Sequence, residues 1–243
     1  MTRLLASVTS AAEARIALAG GADIIDLKDP ARGALGALPL QRITDAVRAV
    51  AGRRPVSATA GDPPYIGKQL LQTIAATAAT GVDYVKIAIT REFDGANQSM
   101  LAQIVNAARP AYVVAVLFAD HDPDLSLIGP LVNAGFYGVM LDTAAKKNGR
   151  LRDHVDDAIL QRFIERAHGA GLIAGLAGSL RLADIPHLLP LGPDYLGFRG
   201  ALCASGRREA GLDATRIADV RRAIGACDET VPAAESNIPE NCL

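Results

Sequence analysis

Eight short runs rich in β-branched and apolar residues recur along the chain, at residues 4–8, 24–28, 56–59, 84–88, 112–118, 138–142, 173–177 and 195–199. Each is separated from the next by a segment with helical periodicity. None alternates strictly between apolar and polar side chains, which is the pattern of parallel strands covered on both faces. Eight such strands with helices between them make a (β/α)8, or TIM, barrel, α/β in class. A chain of 243 residues is of the right length for one such barrel and buries enough surface to need no disulfide or structural metal. The catalytic barrel is expected over residues 1–227. The remaining residues, 228–243, hold two Pro, three Glu and two Asn without periodicity and read as a loose tail.

A weak internal repeat fixes which end of the barrel is which. Ala19-Gly20-Gly21-Ala22-Asp23-Ile24, Thr80-Gly81-Val82-Asp83-Tyr84, Ala134-Gly135-Phe136-Tyr137-Gly138 and Leu191-Gly192-Pro193-Asp194-Tyr195 each place Gly after a helix and before an apolar strand. Gly is the residue that adopts a left-handed helix cap without steric cost. These are αβ turns on the stability face, so Asp23, Asp83 and Asp194 read as turn residues rather than site residues. Ser10-Ala11-Ala12-Glu13 fits a capping box opening a helix to about Ala19. Further helices are expected at about 40–51, 67–80, 98–108, 124–134, 157–169, 181–190 and 213–226.

The formal net charge of −1 excludes the concentrated basic face of a nucleic-acid binder. No apolar run of about 18 residues is present to span a bilayer, and Met1 to Val8 lacks a signal-peptide core, so a cytoplasmic location is expected. Cys203, Cys227 and Cys242 are widely spaced, without C-x-x-C, and suit a reducing compartment. His121, His154, His168 and His187 show no ligand spacing, so no metal is expected.

The informative part of the charge count is its cationic half. Of 25 basic residues 20 are Arg, and the five lysines are Lys28, Lys68, Lys86, Lys146 and Lys147. Arg keeps its proton under all ordinary conditions, so a Lys in an Arg-rich chain invites the question of whether an amine is required. In a (β/α)8 barrel the active site lies at the C-terminal ends of the strands. The eight ends supply Asp26 with Lys28, Asp62, Lys86, Asp120, Asp142 with Lys146, Ser179 and Arg199.

The two-residue period of a strand points Asp26 and Lys28 the same way, as a nucleophilic amine with its carboxylate or as a buried ion pair. Lys86 is a second inward amine, for proton transfer or for a substrate phosphate. Asp142 and Lys146 share one βα loop, where a solvated ion pair is the plain alternative. Lys68, at a helix start, reads as surface. The loops carrying Gly178-Ser179 and Arg199-Gly200 offer backbone N–H groups, a hydroxyl and a guanidinium where such barrels commonly bind phosphate.

These residues resemble the (5-formylfuran-3-yl)methyl phosphate synthase family of methanofuran biosynthesis. The resemblance is carried by the segment from Ala19 to Pro30 with Gly33-Ala34-Leu35-Gly36, by the segment from Val56 to Tyr65, and by Asp83-Tyr84-Val85-Lys86. Met140 to Lys146, Leu176-Ala177-Gly178-Ser179 and Arg199-Gly200-Ala201-Leu202-Cys203 complete it, and it spans about residues 3 to 226. It implies a cofactor-free lyase that condenses two molecules of glyceraldehyde 3-phosphate with loss of phosphate and water, for furan-type one-carbon carriers (methanofuran or methylofuran). It places the Schiff-base lysine on Lys28, the proton-transferring lysine on Lys86, and the supporting groups on Asp26, Asp142 and Lys146. A small-molecule substrate, no nucleic acid, no membrane and a homo-oligomeric assembly are the expected partners. The alternatives are another Schiff-base triose-phosphate aldolase, or a non-catalytic barrel that binds a phosphometabolite.

Overall fold

The computed structural model describes residues 1–61, 67–89, 98–146 and 148–225. The strand-end candidate Asp62, Lys147, Cys227, Cys242 and the proposed tail lie outside the described residues. The eight strands are β1 (Arg3–Val8), β2 (Ile24–Leu27), β3 (Val56–Thr59), β4 (Tyr84–Ala88), β5 (Tyr112–Phe118), β6 (Gly138–Asp142), β7 (Ile173–Leu176) and β8 (Tyr195–Phe198). They pair in parallel in chain order, and β8 returns to β1 with Leu4 beside Leu196, so the sheet closes into a barrel. The helices are α1 (Ala11–Ala19), α2 (Leu40–Val50), α3 (Lys68–Ala78), α4 (Gln98–Ala108), α5 (Ile128–Ala134), α6 (Leu151–His154), α7 (Asp157–Gly169), α8 (Ile185–Leu188) and α9 (Ala214–Ile224).

Two apolar clusters follow from the alternation of strand side chains. Leu4, Ala6, Ile25, Leu27 and Val85 point outward and pack under the helices. Leu5, Ile24, Ala88, Val116, Phe118, Met140 and Tyr195 point inward and pack the barrel itself. Since Ile25 and Leu27 face the helices, Asp26 faces the barrel interior, as its period-two position requires.

Two expected helices differ. The segment 181–190 is broken into a 3-10 turn at Leu182–Asp184, α8, and a second 3-10 turn at Leu189–Leu191. Pro186 and Pro190 lack the N–H that a continuous helix needs. The segment 124–134 begins as a 3-10 turn capped by Asp124, and only Ile128–Ala134 is α-helical, because Pro130 cannot bond back to Ser126. The short α6 was not expected from periodicity.

The repeated αβ turns hold, with Gly21, Gly81, Gly135 and Gly192 at φ of 85°, 88°, 88° and 74°. Their aspartates do more than turn the chain. Asp23 accepts the N–H of Leu4, Asp83 that of Val56 and Asp194 that of Ala174, each at 2.7 Å. Every one reaches sideways to the preceding strand and satisfies a donor at the strand's open N-terminal end. Beside them Tyr84, Tyr112 and Tyr137 stack, with centroids 4.8 to 6.1 Å apart.

Candidate active site

The upper end of the barrel gathers three lysines around two aspartates. Asp26, on β2, is fully buried. Its register neighbours are Ser7 on β1 and Ser57 on β3. Their hydroxyls donate to its two oxygens at 2.9 and 2.7 Å, and the Lys86 amine stands 2.5 Å from Oδ1. Asp142, at the end of β6, accepts the Thr143 N–H at 2.8 Å and a close contact from Lys146. Its other oxygen lies 3.9 Å from the Lys28 amine. Lys28 follows β2 and bonds its own N–H to Val8. Of the three amines, that of Lys28 stands farthest from a carboxylate oxygen of the described residues.

Asp120 builds the loop that carries Lys146. Following β5, it accepts the N–H groups of Ala144 and Ala145 at 2.8 Å each, bending the chain so that Lys146 turns back over Asp142. Burial pushes this carboxyl up, yet the two N–H bonds leave it below the usual carboxylate range.

Among the described residues three lysines thus face two buried aspartates at the floor of one site. Burial works against the charged form of Asp26, but Lys86, Lys28 and Ser57 outweigh it and hold Asp26 below the usual range. Asp142 is likewise held low, against burial, by Lys146 and Lys28. Burial draws the Lys86 amine down, with Asp26 opposing and Lys28 reinforcing. It draws Lys146 down to about 8, against the attraction of Asp142. The cluster therefore keeps its carboxylates ionised while burial favours proton loss from Lys86 and Lys146, which is the state an amine base needs.

Above the cluster opens a cavity of about 780 Å³, within the range of small-molecule sites. Asp26, Lys28, Lys86, Asp142 and Lys146 line it, as do the loops with Gly178, Ser179 and Gly200. Gly178 and Ser179 have φ of 117° and 51°, and a Cβ on Gly178 would stand 3.0 Å from Thr143. The exposed Ser179 hydroxyl has no partner among the described residues.

Arg199 lines the cavity but its guanidinium does not serve it. All five N–H donors are committed: Nε to Arg208 O, Nη1 to Ser7 O and Glu13, Nη2 to Glu13 and Ala210 O, at 2.6 to 3.1 Å. With its side chain 7% exposed, Arg199 is a strut between β8 and β1, not a free phosphate ligand. Arg208 and Arg216 also line the cavity from this side, and the Arg208 guanidinium donates to Gly33 O at 3.1 Å.

Ser10 accepts from the Glu13 N–H as a capping box demands, but the Glu13 carboxylate turns to Thr9 and Arg199. Ser7, Ser57 and the Glu13 carboxylate are site-supporting groups that the sequence reading misses. Counting up the strands from Gly21 and Gly52 places Ser57 level with Asp26, whereas β1 has no turn glycine to place Ser7 and nothing local links Glu13 to Arg199. Cys203 is buried against Arg199 O, and burial pushes its thiol up, away from reactivity. Among the described residues no group of His, Cys, Asp and Glu is arranged to hold a metal ion, and no helix is long and apolar enough to cross a membrane.

Residues 4–221 match the family model described as 4-HFC-P synthase. The (5-formylfuran-3-yl)methyl phosphate synthase of Methanococcus maripaludis strain S2 is 39% identical over 221 residues, covering 86% of this chain and 92% of that protein. A Methylorubrum extorquens protein assigned provisionally to the same activity is 45% identical over 224 residues, with 92% of each chain covered. Among solved structures, 3-hexulose-6-phosphate synthase superposes with a TM-score of 0.62 at 21% identity over 92% of this chain and all of that one. KGPDC of Streptococcus mutans superposes with a TM-score of 0.64 at 11% identity, over 92% of this chain and 97% of that one. These two share the barrel.

Proposed function

The chain belongs to the 4-HFC-P synthase family, and from that premise we propose that it condenses two molecules of glyceraldehyde 3-phosphate into (5-formylfuran-3-yl)methyl phosphate, releasing one phosphate and two waters. The observation that carries this reading is the division of labour among the amines. Lys86 and Lys146 are each held in contact with a carboxylate, while the Lys28 amine is 3.9 Å from the nearest one among the described residues and lines the cavity. Lys28 is thus placed to add to a substrate carbonyl. Loss of water from the adduct gives an iminium that makes the adjacent C–H acidic.

Lys86, drawn down by burial and backed by Asp26, takes that proton and leaves an enamine. The enamine electrons either expel the neighbouring phosphate or form the carbon–carbon bond to the second triose phosphate. Asp142 and Lys146 stand on the other side of Lys28 and supply the proton for departing oxygens. Hydrolysis of the final iminium returns the Lys28 amine. The backbone N–H groups around Gly178, Ser179 and Gly200, with the Ser179 hydroxyl and Arg208, suit a phosphate. The product fits a place in the making of furan-type one-carbon carriers.

Borohydride reduction in the presence of glyceraldehyde 3-phosphate is expected to attach the triose to Lys28, with phosphate release and a new furan absorbance when borohydride is left out. Stoichiometric trapping elsewhere, with Lys28 unmodified, would overturn the assignment. A reversible aldol product without phosphate release would make the protein a Schiff-base aldolase instead.

A further inference from the structure

Below the lysine cluster the barrel interior is not filled. A second cavity, of about 80 Å³, is lined at its outer end by Arg3, Tyr137 and Asp194 and at its inner end by Ser57 and Lys86. Arg3 and Tyr137 are solvent-exposed, Tyr137 at 36%, and Asp194 is half-buried, whereas Ser57 and Lys86 are each at 2%. A barrel of this kind ordinarily packs its interior with layers of branched side chains. Here β6, β7 and β8 contribute Gly138, Gly175 and Gly197 at inward positions. A Cβ at Gly175 would lie 2.1 Å from the Tyr195 ring, so the absence of a side chain is what admits that ring.

Tyr195 is 3% exposed, lines the cavity, and its hydroxyl bonds to no described residue. An unpaired buried hydroxyl costs about 1–3 kcal/mol unless water satisfies it. The cavity is several times the roughly 10–15 Å³ that one water requires, and it has polar groups at both ends.

We propose that this cavity is a proton passage, in which a short file of waters linked through the Tyr195 hydroxyl exchanges protons between solvent at the lower end of the barrel and the Lys86 amine. The proposal rests on the reading of Lys86 as the proton-transferring group. Substrate filling the upper cavity separates Lys86 from solvent on that side. A proton taken from carbon in one step must leave Lys86 before the next abstraction, and one must return when an oxygen departs. Each hop breaks one N–H or O–H bond and forms another, so no further reactant is consumed. Burial, and then the charge of Asp26, keep the Tyr195 phenol protonated far above its ordinary range, so it passes protons as a neutral hydroxyl rather than as a phenolate.

Tyr195→Phe keeps the ring over Gly175 and removes a hydroxyl that bonds to no described residue. The passage predicts an unchanged melting temperature, KM and Lys28 trapping, with kcat reduced about ten-fold, short of the roughly 10²–10⁴-fold of a whole acid–base group, and a larger solvent deuterium isotope effect. Val114→Leu, which narrows the cavity from its apolar wall, should slow kcat in the same way with Tyr195 in place. A wild-type kcat and isotope effect in Tyr195→Phe overturn the passage while leaving the proposed reaction intact. Turnover surviving in Lys86→Gln overturns the reading on which the passage rests. Independently of activity, a water-resolving crystal structure is expected to show waters between Tyr195 and Lys86, and a dry cavity refutes the proposal.

Discussion

The two ends of the barrel use the same residue type for opposite purposes. At the lower end Asp23, Asp83 and Asp194 accept backbone N–H groups of neighbouring strands. At the upper end Asp26 and Asp142 hold lysine amines. The polarity of parallel strands accounts for the difference. Their N-terminal ends present unpaired N–H groups, which attract carboxylates, and their C-terminal ends present carbonyls, which attract cations. Arg199 bonding to Ser7 O is the same rule seen from the cation's side. A carboxylate at the upper end is met by a cation, as Asp26 and Asp142 are, or, like Asp120, by the N–H groups of the next βα loop. Asp23 also pairs with Arg221 and Asp194 with His168 at the lower end, but the lysine amines gather at the upper end around the cavity.

The contrast is tested most severely by replacing a whole upper pair. Asp26→Asn combined with Lys86→Met should lower synthase turnover by about 10²–10⁴-fold, the size of an acid–base contribution. Swapping a buried ion pair for neutral groups is commonly neutral or stabilising, so the melting temperature should be unchanged or higher. A large fall in melting temperature would mean that the upper charges serve the fold after all.

The next effect is at the strut. Glu13→Gln leaves the Arg199 guanidinium buried with one weakened partner and should cost about 3 kcal/mol of stability, read by denaturant unfolding. Burial raises the Glu13 carboxyl, but Arg199 and Thr9 bring it below 4.5. A depressed carboxylate stabilises fully above its unfolded value and loses that contribution as pH falls through its folded one. The gap between wild type and Glu13→Gln should accordingly hold above pH 4.5 and close below it. A gap that persists at lower pH would separate Glu13 from the ion pair.

The smallest effect is at the lower end. Asp83→Ala removes one acceptor from the Val56 N–H and should cost about 1–2 kcal/mol, with kcat per folded molecule unchanged. Loss of turnover there would erase the distinction between the ends.

Strands were legible because a parallel barrel buries both faces of each one, so β-branched runs mark them within one residue at either end. Lys28, Lys86 and Asp26 were legible for the related reason that strand alternation fixes which residues turn inward. Helical segments interrupted by Pro130, Pro186 and Pro190 were less so, since apolar spacing persists through a break that the missing donors impose. Arg199 was legible as a strand-end cation but not as a strut, because its partner is 186 residues away. The turning of Lys146 over Asp142 depends on Asp120 gripping the next βα loop, a contact between neighbouring strands that no local pattern announces.

That separation of Glu13 from Arg199 also orders events during synthesis. On a growing chain the carboxylate emerges 186 residues ahead of the guanidinium that neutralises it. Until then the first strand has no neighbour on its open side, and Glu13 must remain hydrated. The clasp between α1 and the end of β8 therefore waits for β8, and Arg199 completes its hydrogen bonds only when Arg208 and Ala210 have followed it. A chain that stops before residue 199 carries an unclosed ring with the Glu13 charge unmatched by Arg199 at its seam.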